Sequence, residues 1–379
     1  MNVYVRELGA ALAQAGVDTT VYVRRWARDL PREVAVEPGF RVVHLDAGPA
    51  GLAKEALPEM VEPFTRALLD DLADRPADVI HANYWLSGVV GHRVKHALEL
   101  PLVSTFHTLA RVKAETGDSE PQRRIDAEAE VVGCSDVILA NSIEEVDQLQ
   151  RHYGADPTRI ELVPPGVEHA FFSPGDRRGA RNALGLDDVP TLLFAGRIQP
   201  LKGLDVAIRA LAALRRADAR LVVVGGPSGA DGEAELARVR ALASALGVSH
   251  RVQFVPPQPH HLLSSWFRAA DLVVVPSRSE SFGLVALEAA ACGVPVVAAA
   301  VGGLRTLVQD GVTGVLVEGR DPRDFAAALD GLLDQPELAA RLGRQAAQRA
   351  AGFTWAGAAG RLRRIYAALA LGTRVDCAA

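Results

Sequence analysis

Short β-branched runs alternate with helix-length amphipathic stretches along nearly the whole chain, and this alternation constrains the fold more than any other feature. Parallel strands cannot be joined by a tight turn. They need a crossover, and helical crossovers cover both faces of the sheet. Strands are expected at Thr20–Val23, Arg41–Leu45, Val79–His81, Leu102–Thr105, Val137–Ala140 and Ile160–Val163. A second set is expected at Thr191–Ala195, Arg220–Val224, Val252–Val255, Leu272–Val275, Val294–Ala298 and Val315–Val317. Between the sets, Pro164-Pro165-Gly166 and Phe171-Phe172-Ser173-Pro174-Gly175 interrupt all periodicity. Two α/β domains follow, residues 1–166 and 167–353, each a doubly wound sheet of six strands. Trp355, Ala359, Leu362, Ile365, Tyr366 and Leu369 then fall on one face of a closing helix over 354–371.

Composition narrows the function classes. At 379 residues and 49% hydrophobic, the chain can bury two cores; with 5% aromatics, those cores rest on Ala, Val and Leu. A net charge of -5 without a basic stripe argues against nucleic acid as the partner. No window reaches the ~18 apolar residues of a membrane span, and no secretory leader is visible. Cys134, Cys292 and Cys377 show no CxxC spacing and no clustered histidines, so two small core residues and one tail thiol are expected, in a reducing cytoplasm. No metal site is expected. The oligomeric state stays open, with a homodimer as one option.

The chemistry-bearing residues gather after strands. Glu280-Ser281-Phe282-Gly283-Leu284-Val285-Ala286-Leu287-Glu288 follows the strand Leu272–Val275. Ser279 or Ser281 can cap a helix starting near Phe282, placing Glu280 at its mouth and Glu288 about two turns in. Gly196-Arg197-Ile198-Gln199-Pro200-Leu201-Lys202-Gly203 follows Thr191–Ala195. A guanidinium fork and an ammonium point charge on such a loop suit a diphosphate. Gly225-Gly226 and Gly302-Gly303 mark further turns at strand ends. In the first half, His107-Thr108 follows Leu102–Thr105, and Lys54, Tyr84 and Arg123 lie in loop-like contexts. Taken alone, His107 reads first as a structural histidine and Lys54, Tyr84 and Arg123 each as an ordinary surface residue.

Together these motifs resemble the retaining family-4 glycosyltransferases of the GT-B fold, the group of sucrose and glycogen synthases. The Glu280…Glu288 pair is similar to that family's hallmark and Arg197…Lys202 to its diphosphate clamp. The resemblance implies two Rossmann-like domains facing across a cleft, with the closing helix returning to the first domain. Within the group, Met1-Asn2-Val3-Tyr4-Val5, Tyr84-Trp85-Leu86-Ser87-Gly88 and His107-Thr108-Leu109-Ala110-Arg111-Val112-Lys113 resemble the actinobacterial inositol-phosphate N-acetylglucosaminyltransferases of mycothiol synthesis. That likeness implies a UDP-sugar donor contacted by Asn2, Gly196, Arg197, Lys202, Gly225, Gly226, Gln258, Glu280, Ser281, Phe282, Gly283, Leu284 and Glu288. It implies an acceptor phosphate held by Lys54, Tyr84, Thr108 and Arg123, with Arg124 the alternative by one register and Asn2 nearby. His107, Arg197, Lys202 and Glu280 are the catalytic expectation, with no metal or cofactor required.

Two departures qualify the likeness. The family's first strand, ending in Gly-Gly just before the Met-Asn-Val-Tyr-Val segment, has no counterpart here, which suggests an upstream start. Gln258 stands where the close relatives carry arginine near the base. An aminocyclitol of aminoglycoside antibiotic synthesis is the alternative acceptor, with Asp118, Glu120, Asp126 and Glu128 as candidate partners for its ammonium groups. A sugar-nucleotide epimerase and a non-catalytic sugar-nucleotide binder are the readings outside this class.

Overall fold

The computed structural model describes residues 2–115, 117, 120–229, 231–372, 374–375 and 377. Met1 and Asp118, both raised by the sequence, lie outside the described residues. In chain order the strands are β1 (Thr19–Arg24), β2 (Glu33–Glu37), β3 (Phe40–Leu45), β4 (Ile80–Asn83), β5 (Leu102–Thr105), β6 (Val137–Ala140) and β7 (Ile160–Leu162). They continue as β8 (Thr191–Ala195), β9 (Arg220–Val224), β10 (Val252–Val255), β11 (Leu272–Val275), β12 (Val296–Ala299) and β13 (Gly314–Val317). The chain separates into two compact units, Met1–Gly166 with Trp355–Ala379, and Val167–Thr354. Both are α/β and Rossmann-like.

The second unit carries one parallel sheet in the order β10-β9-β8-β11-β12-β13. Its strands are apolar on both faces, and the period of two sorts them cleanly. Leu193, Val222, Val273 and Val296 enter one buried cluster; their chain neighbours Leu192, Leu221, Leu272 and Val297 enter the other. Register and core therefore agree: Leu192 pairs with Leu221 and Leu272, and Leu193 with Val222 and Val273. Each such side chain contributes roughly 1.5–3 kcal/mol when fully buried. A one-residue slip would exchange the two faces of the strand.

The first unit differs from the expected single sheet of six. Its seven strands form two sheets, β4-β5-β6-β7, all parallel, and β1-β3-β2. In the smaller sheet β1 pairs with β3 in parallel, and β2 pairs with β3 antiparallel. The sequence reading missed β2 because it is an exposed edge strand with no buried face to set a pattern. β1 and β4 each lie at the end of their sheet.

In the larger sheet, Val103 and Leu139 face a cluster built by helices Asn2–Gln14 and Trp355–Leu371, while Ile138 and Ala140 face Phe106, Leu109, Val131 and Leu149. Tyr4 meets Trp355 edge to face at 5.5 Å. His81 of β4 joins the helix Trp355–Leu371 to β5: its Nδ1 hydrogen-bonds with Tyr366 Oη at 2.6 Å and its Nε2 with Thr105 Oγ1 at 2.9 Å. The expectation of isolated core cysteines needs correction. Cys134 and Cys377 are disulfide-bonded, and Cys292 is buried alone. They are 243 residues apart, a separation that gives sequence inspection no hint of their contact.

Candidate functional site

The loops singled out in the second unit share the carboxyl ends of adjacent strands. β8 lies between β9 and β11, and the chain order reverses direction there, at the β8/β11 boundary. Open α/β sheets bind ligands at such switch points. The loop after β8 is tied to the loop after β11: Arg278 N donates to Leu201 O at 2.8 Å, and Gly203 packs beneath Pro276. A Cβ on Gly203 would lie 2.1 Å from Pro276 O, so only glycine permits this approach. On the other side, Gly225 at φ +154° lies against Gly196, where a Cβ would stand 1.8 Å from the Gly196 carbonyl oxygen. Ile198 N donates to Gly226 O at 2.8 Å, and Gly303 N donates to Glu280 O at 2.8 Å.

This stitching brings Lys202 to Glu280. The two form an ion pair with side chains 21% and 17% exposed, and Ser277 Oγ donates to the same carboxylate at 3.2 Å. The ammonium offers three donors, so engaging Glu280 leaves capacity for an anionic ligand. Arg197 is exposed and makes no ion pair among the described residues. Glu288 is buried and bound to His260 Nε2 at 2.7 Å. Each acid is thus already oriented by a basic partner.

Several sequence expectations change here. The helix begins at Leu284, is capped by Gly283, and takes no side-chain cap from Ser279 or Ser281. Glu288 is therefore just over one turn in, rather than two. Phe282 is buried in the core against Phe353, so only its backbone faces a ligand role. Gln258 donates to Pro256 O at 3.0 Å, in the loop whose Pro257 abuts Gly226. His260, Arg278 and Arg320 escaped the sequence reading. Arg278 and Arg320 hold buried guanidinium nitrogens without hydrogen-bond partners among the described residues. Burial, then the nearby Arg278, pulls the Arg320 pKa below its ordinary value. Arg278 lies between Pro276 and Glu280, and that flank was the available signal.

The first unit builds its group differently. Tyr84 and His107, directly after β4 and two residues after β5, adopt positive φ of 81° and 61°. Non-glycine residues avoid this region, and such strain, of order 1–3 kcal/mol, gathers at functional sites. His107 Nε2–H donates to Asn83 Oδ1 at 2.9 Å and its ring meets Tyr4 at 4.7 Å. Burial depresses its pKa to about 3, so it is neutral at physiological pH. Asn83 and Tyr4 were not foreseen.

Arg123 and Arg124 separate clearly. Arg124 is buried and binds Glu128 Oε1 and Glu120 Oε2 at 2.8 Å each. Its Nη2 donates to Thr108 Oγ1 at 3.1 Å, and its guanidinium lies 5.3 Å from the Tyr84 ring centroid. Arg123 is exposed and reaches Pro58 O at 3.4 Å, on the 3₁₀ turn Lys54–Met60. Lys54 opens that turn, is exposed, and makes no ion pair among the described residues. Asn2 is exposed at the start of its helix. Of the described acids weighed for an aminocyclitol, Glu120 and Glu128 are engaged internally and Asp126 is exposed. Glu120 pairs with Lys113 and Arg124; Glu128 also accepts from Ala110 N and Tyr153 Oη; Asp126 accepts from Gln122.

Comparison with known proteins follows the two units. The model described as "Glycosyltransferase Family 4" matches residues 1–171, and "Glycosyl transferases group 1" matches residues 176–349. A D-inositol 3-phosphate glycosyltransferase of Geodermatophilus obscurus is 48% identical over 370 residues, covering 94% of this chain and 81% of its own. One of Acidothermus cellulolyticus is 49% identical over 370 residues, covering 94% and 82%. Among solved structures, a sucrose-phosphate synthase from Thermosynechococcus elongatus superposes with TM-score 0.92 at 33% identity, over 97% of this chain and 92% of that one.

Proposed function

This chain belongs to the family-4 glycosyltransferases of the GT-B fold, and from that premise we propose that it transfers a hexosyl group from a UDP-sugar to a hydroxyl of inositol 3-phosphate. The Lys202–Glu280 pair at the β8/β11 switch point carries the reading. Lys202 and Arg197 take the donor diphosphate and stabilise the charge that develops as it leaves. Glu280 and the backbone of Ser281, Phe282 and Gly283 take the sugar hydroxyls, and Glu288, held by His260, takes the ribose. Gly196, Gly225 and Gly226 let the backbone approach the phosphates, and Gln258 and Leu284 border the same loops.

For the acceptor, the exposed and uncompensated Lys54 and Arg123 favour an anion. Arg124, neutralised by two carboxylates, orients Thr108 and Tyr84 instead. The internal engagement of Glu120 and Glu128 weighs against an ammonium-bearing aminocyclitol. His107, neutral and half-buried, serves as a hydrogen-bonding contact to a sugar hydroxyl, with Asn2 alongside. In this reading transfer is retaining, needs no metal, and takes place in the cytoplasm. Among the described residues, no helix is long and apolar enough to cross a membrane.

A mass-spectrometric transfer assay tests the reading. It crosses UDP-N-acetylglucosamine and UDP-glucose with inositol 3-phosphate and a 2-deoxystreptamine-type acceptor, with and without a chelator. The expected product is the glycosylated inositol phosphate with an unchanged anomeric configuration by NMR, insensitive to chelator. Transfer to the aminocyclitol alone would overturn the acceptor assignment.

A further inference from the structure

Four metal-ligating side chains, none of them given a role in the proposed function, meet in the first unit. His92 and His96 lie one turn apart on helix Trp85–Leu98, Cys134 ends helix Gln122–Cys134, and Cys377 follows helix Trp355–Leu371. Their donor atoms all lie within 4.8 Å of one another. His92 Nε2 and His96 Nε2 are 3.0 Å apart, and Cys377 Sγ is 3.3 Å from His96 Nε2 and 4.0 Å from His92 Nε2. Zinc bonds of ~2.0–2.3 Å in a tetrahedron put donor atoms about 3.3–3.8 Å apart, close to the spacings of the two imidazoles and Cys377, while the two sulfurs reach that separation only once their bond is reduced.

The surroundings point to a ligand set rather than a chance meeting. Glu130 Oε1 lies 3.1 Å from His92 Nδ1, which fixes the tautomer and turns the Nε2 lone pair toward the sulfurs. Asp136 anchors the incoming segment by accepting from Val375 N at 2.6 Å, two residues before Cys377. Lys95 Nζ bonds both Asp136 Oδ2 and Cys134 O, which holds the end of the helix that presents Cys134.

We propose that, with its disulfide reduced, the chain binds one zinc ion through His92 Nε2, His96 Nε2, Cys134 Sγ and Cys377 Sγ. Two sulfurs and two imidazole nitrogens in a tetrahedron select zinc among common divalent ions. A dithiol reductant delivers two electrons to the Cys134–Cys377 bond and leaves as its own cyclic disulfide, giving two thiols. Zinc then displaces the two thiol protons, which pass to solvent. The bound ion replaces the disulfide as the clasp between the segment after the last helix and helix Gln122–Cys134, and adds helix Trp85–Leu98 to it. The sequence expectation of no metal site arose because only His92 and His96 are neighbours along the chain.

The test uses the full chain, reduced with dithiothreitol, desalted without oxygen, and titrated with zinc or cobalt. The expected result is one metal per chain, with cobalt giving the intense visible bands of a tetrahedral site and a thiolate charge-transfer band. Glu130→Gln should weaken binding roughly 10–100-fold, and Cys377→Ser or His96→Ala by more. Cys377 lies beyond the last helix, so a Cys377→Ser chain with unchanged circular dichroism separates ligand loss from unfolding. If reduced wild type takes up no more metal than Cys377→Ser, or if cobalt shows only a weak octahedral spectrum, the assignment is overturned.

Discussion

Each unit places candidate residues at the carboxyl ends of parallel strands, Tyr84, His107 and Thr108 in the first and Lys202 and Glu280 in the second, but holds them by different means. In the second unit glycine does the shaping. Gly203 under Pro276 and Gly225 against Gly196 bring backbone onto backbone, and the charged pair Lys202–Glu280 rests on that frame while staying partly exposed. In the first unit side chains do the shaping. Tyr84 and His107 accept left-handed backbone, and the buried network Arg124–Glu120–Glu128–Thr108 fixes their surroundings. A glycine frame costs no buried charge and suits a phosphate that needs close backbone approach. A buried polar network is rigid only while every member is satisfied.

Substitution should expose this asymmetry, and the largest effect belongs to the first unit. Arg124→Ala leaves Glu120 and Glu128 without their shared cation, and a loss of about 3–5 kcal/mol in unfolding free energy is expected by denaturant titration. Retained stability would mean that the network is not what holds the first unit's loops. Next comes Lys202→Ala, expected to lower turnover by roughly 10²–10³-fold, about 2.7–4 kcal/mol, with little change in melting temperature. Turnover within a few-fold of wild type would remove Lys202 from the leaving-group role.

The third effect is pH. Burial depresses His81 to about 4 and His107 to about 3, so both stay neutral in the folded chain while the unfolded chain gains protons below 6.5. Their contribution is complete above pH 6.5 and is lost as pH falls toward the folded values. Glu145 opposes them: burial raises it from 4.5 to about 7, so its contribution is complete below 4.5 and fades as pH rises to 7. Two histidines against one glutamate leave a net rise in stability with pH between roughly 4.5 and 6.5, on the order of one proton's worth. All three groups belong to the first unit, so that unit should melt first in acid. Tryptophan fluorescence checks this through the first unit's Trp26, Trp85 and Trp355 against the second unit's Trp266. Simultaneous melting would deny the contrast.

Smaller effects follow. Gly225→Ala forces a Cβ against the Gly196 carbonyl at φ +154°, and about 1–3 kcal/mol of destabilisation with weakened donor binding is expected by calorimetry. An unperturbed variant would show that the glycine frame is dispensable. Arg123→Ala should leave stability unchanged and raise the acceptor KM roughly tenfold, by about 1.5 kcal/mol, the loss of one charged hydrogen bond. An unchanged KM would move the phosphate contact to Lys54 or elsewhere.

Much of the second unit was legible because its strands are buried on both faces and bounded by glycine and proline. Thr191–Ala195, Arg220–Val224, Val252–Val255 and Leu272–Val275 match the expected residues end to end. The first unit was harder for stated reasons. β2 has no buried face, and the Arg123/Arg124 register turns on which neighbour points inward. Positive φ at Tyr84 and His107 leaves no mark on residue type.

By itself, the order of residues determined where strands and helices form and which loops carry acids and bases, since periodicity and turn chemistry act over a few neighbours. Only the tertiary structure decided the distant partners: Lys202 with Glu280, His260 with Glu288, and Cys134 with Cys377. Those pairs join residues set side by side by strand order and helix packing. Short-range pattern holds no record of them.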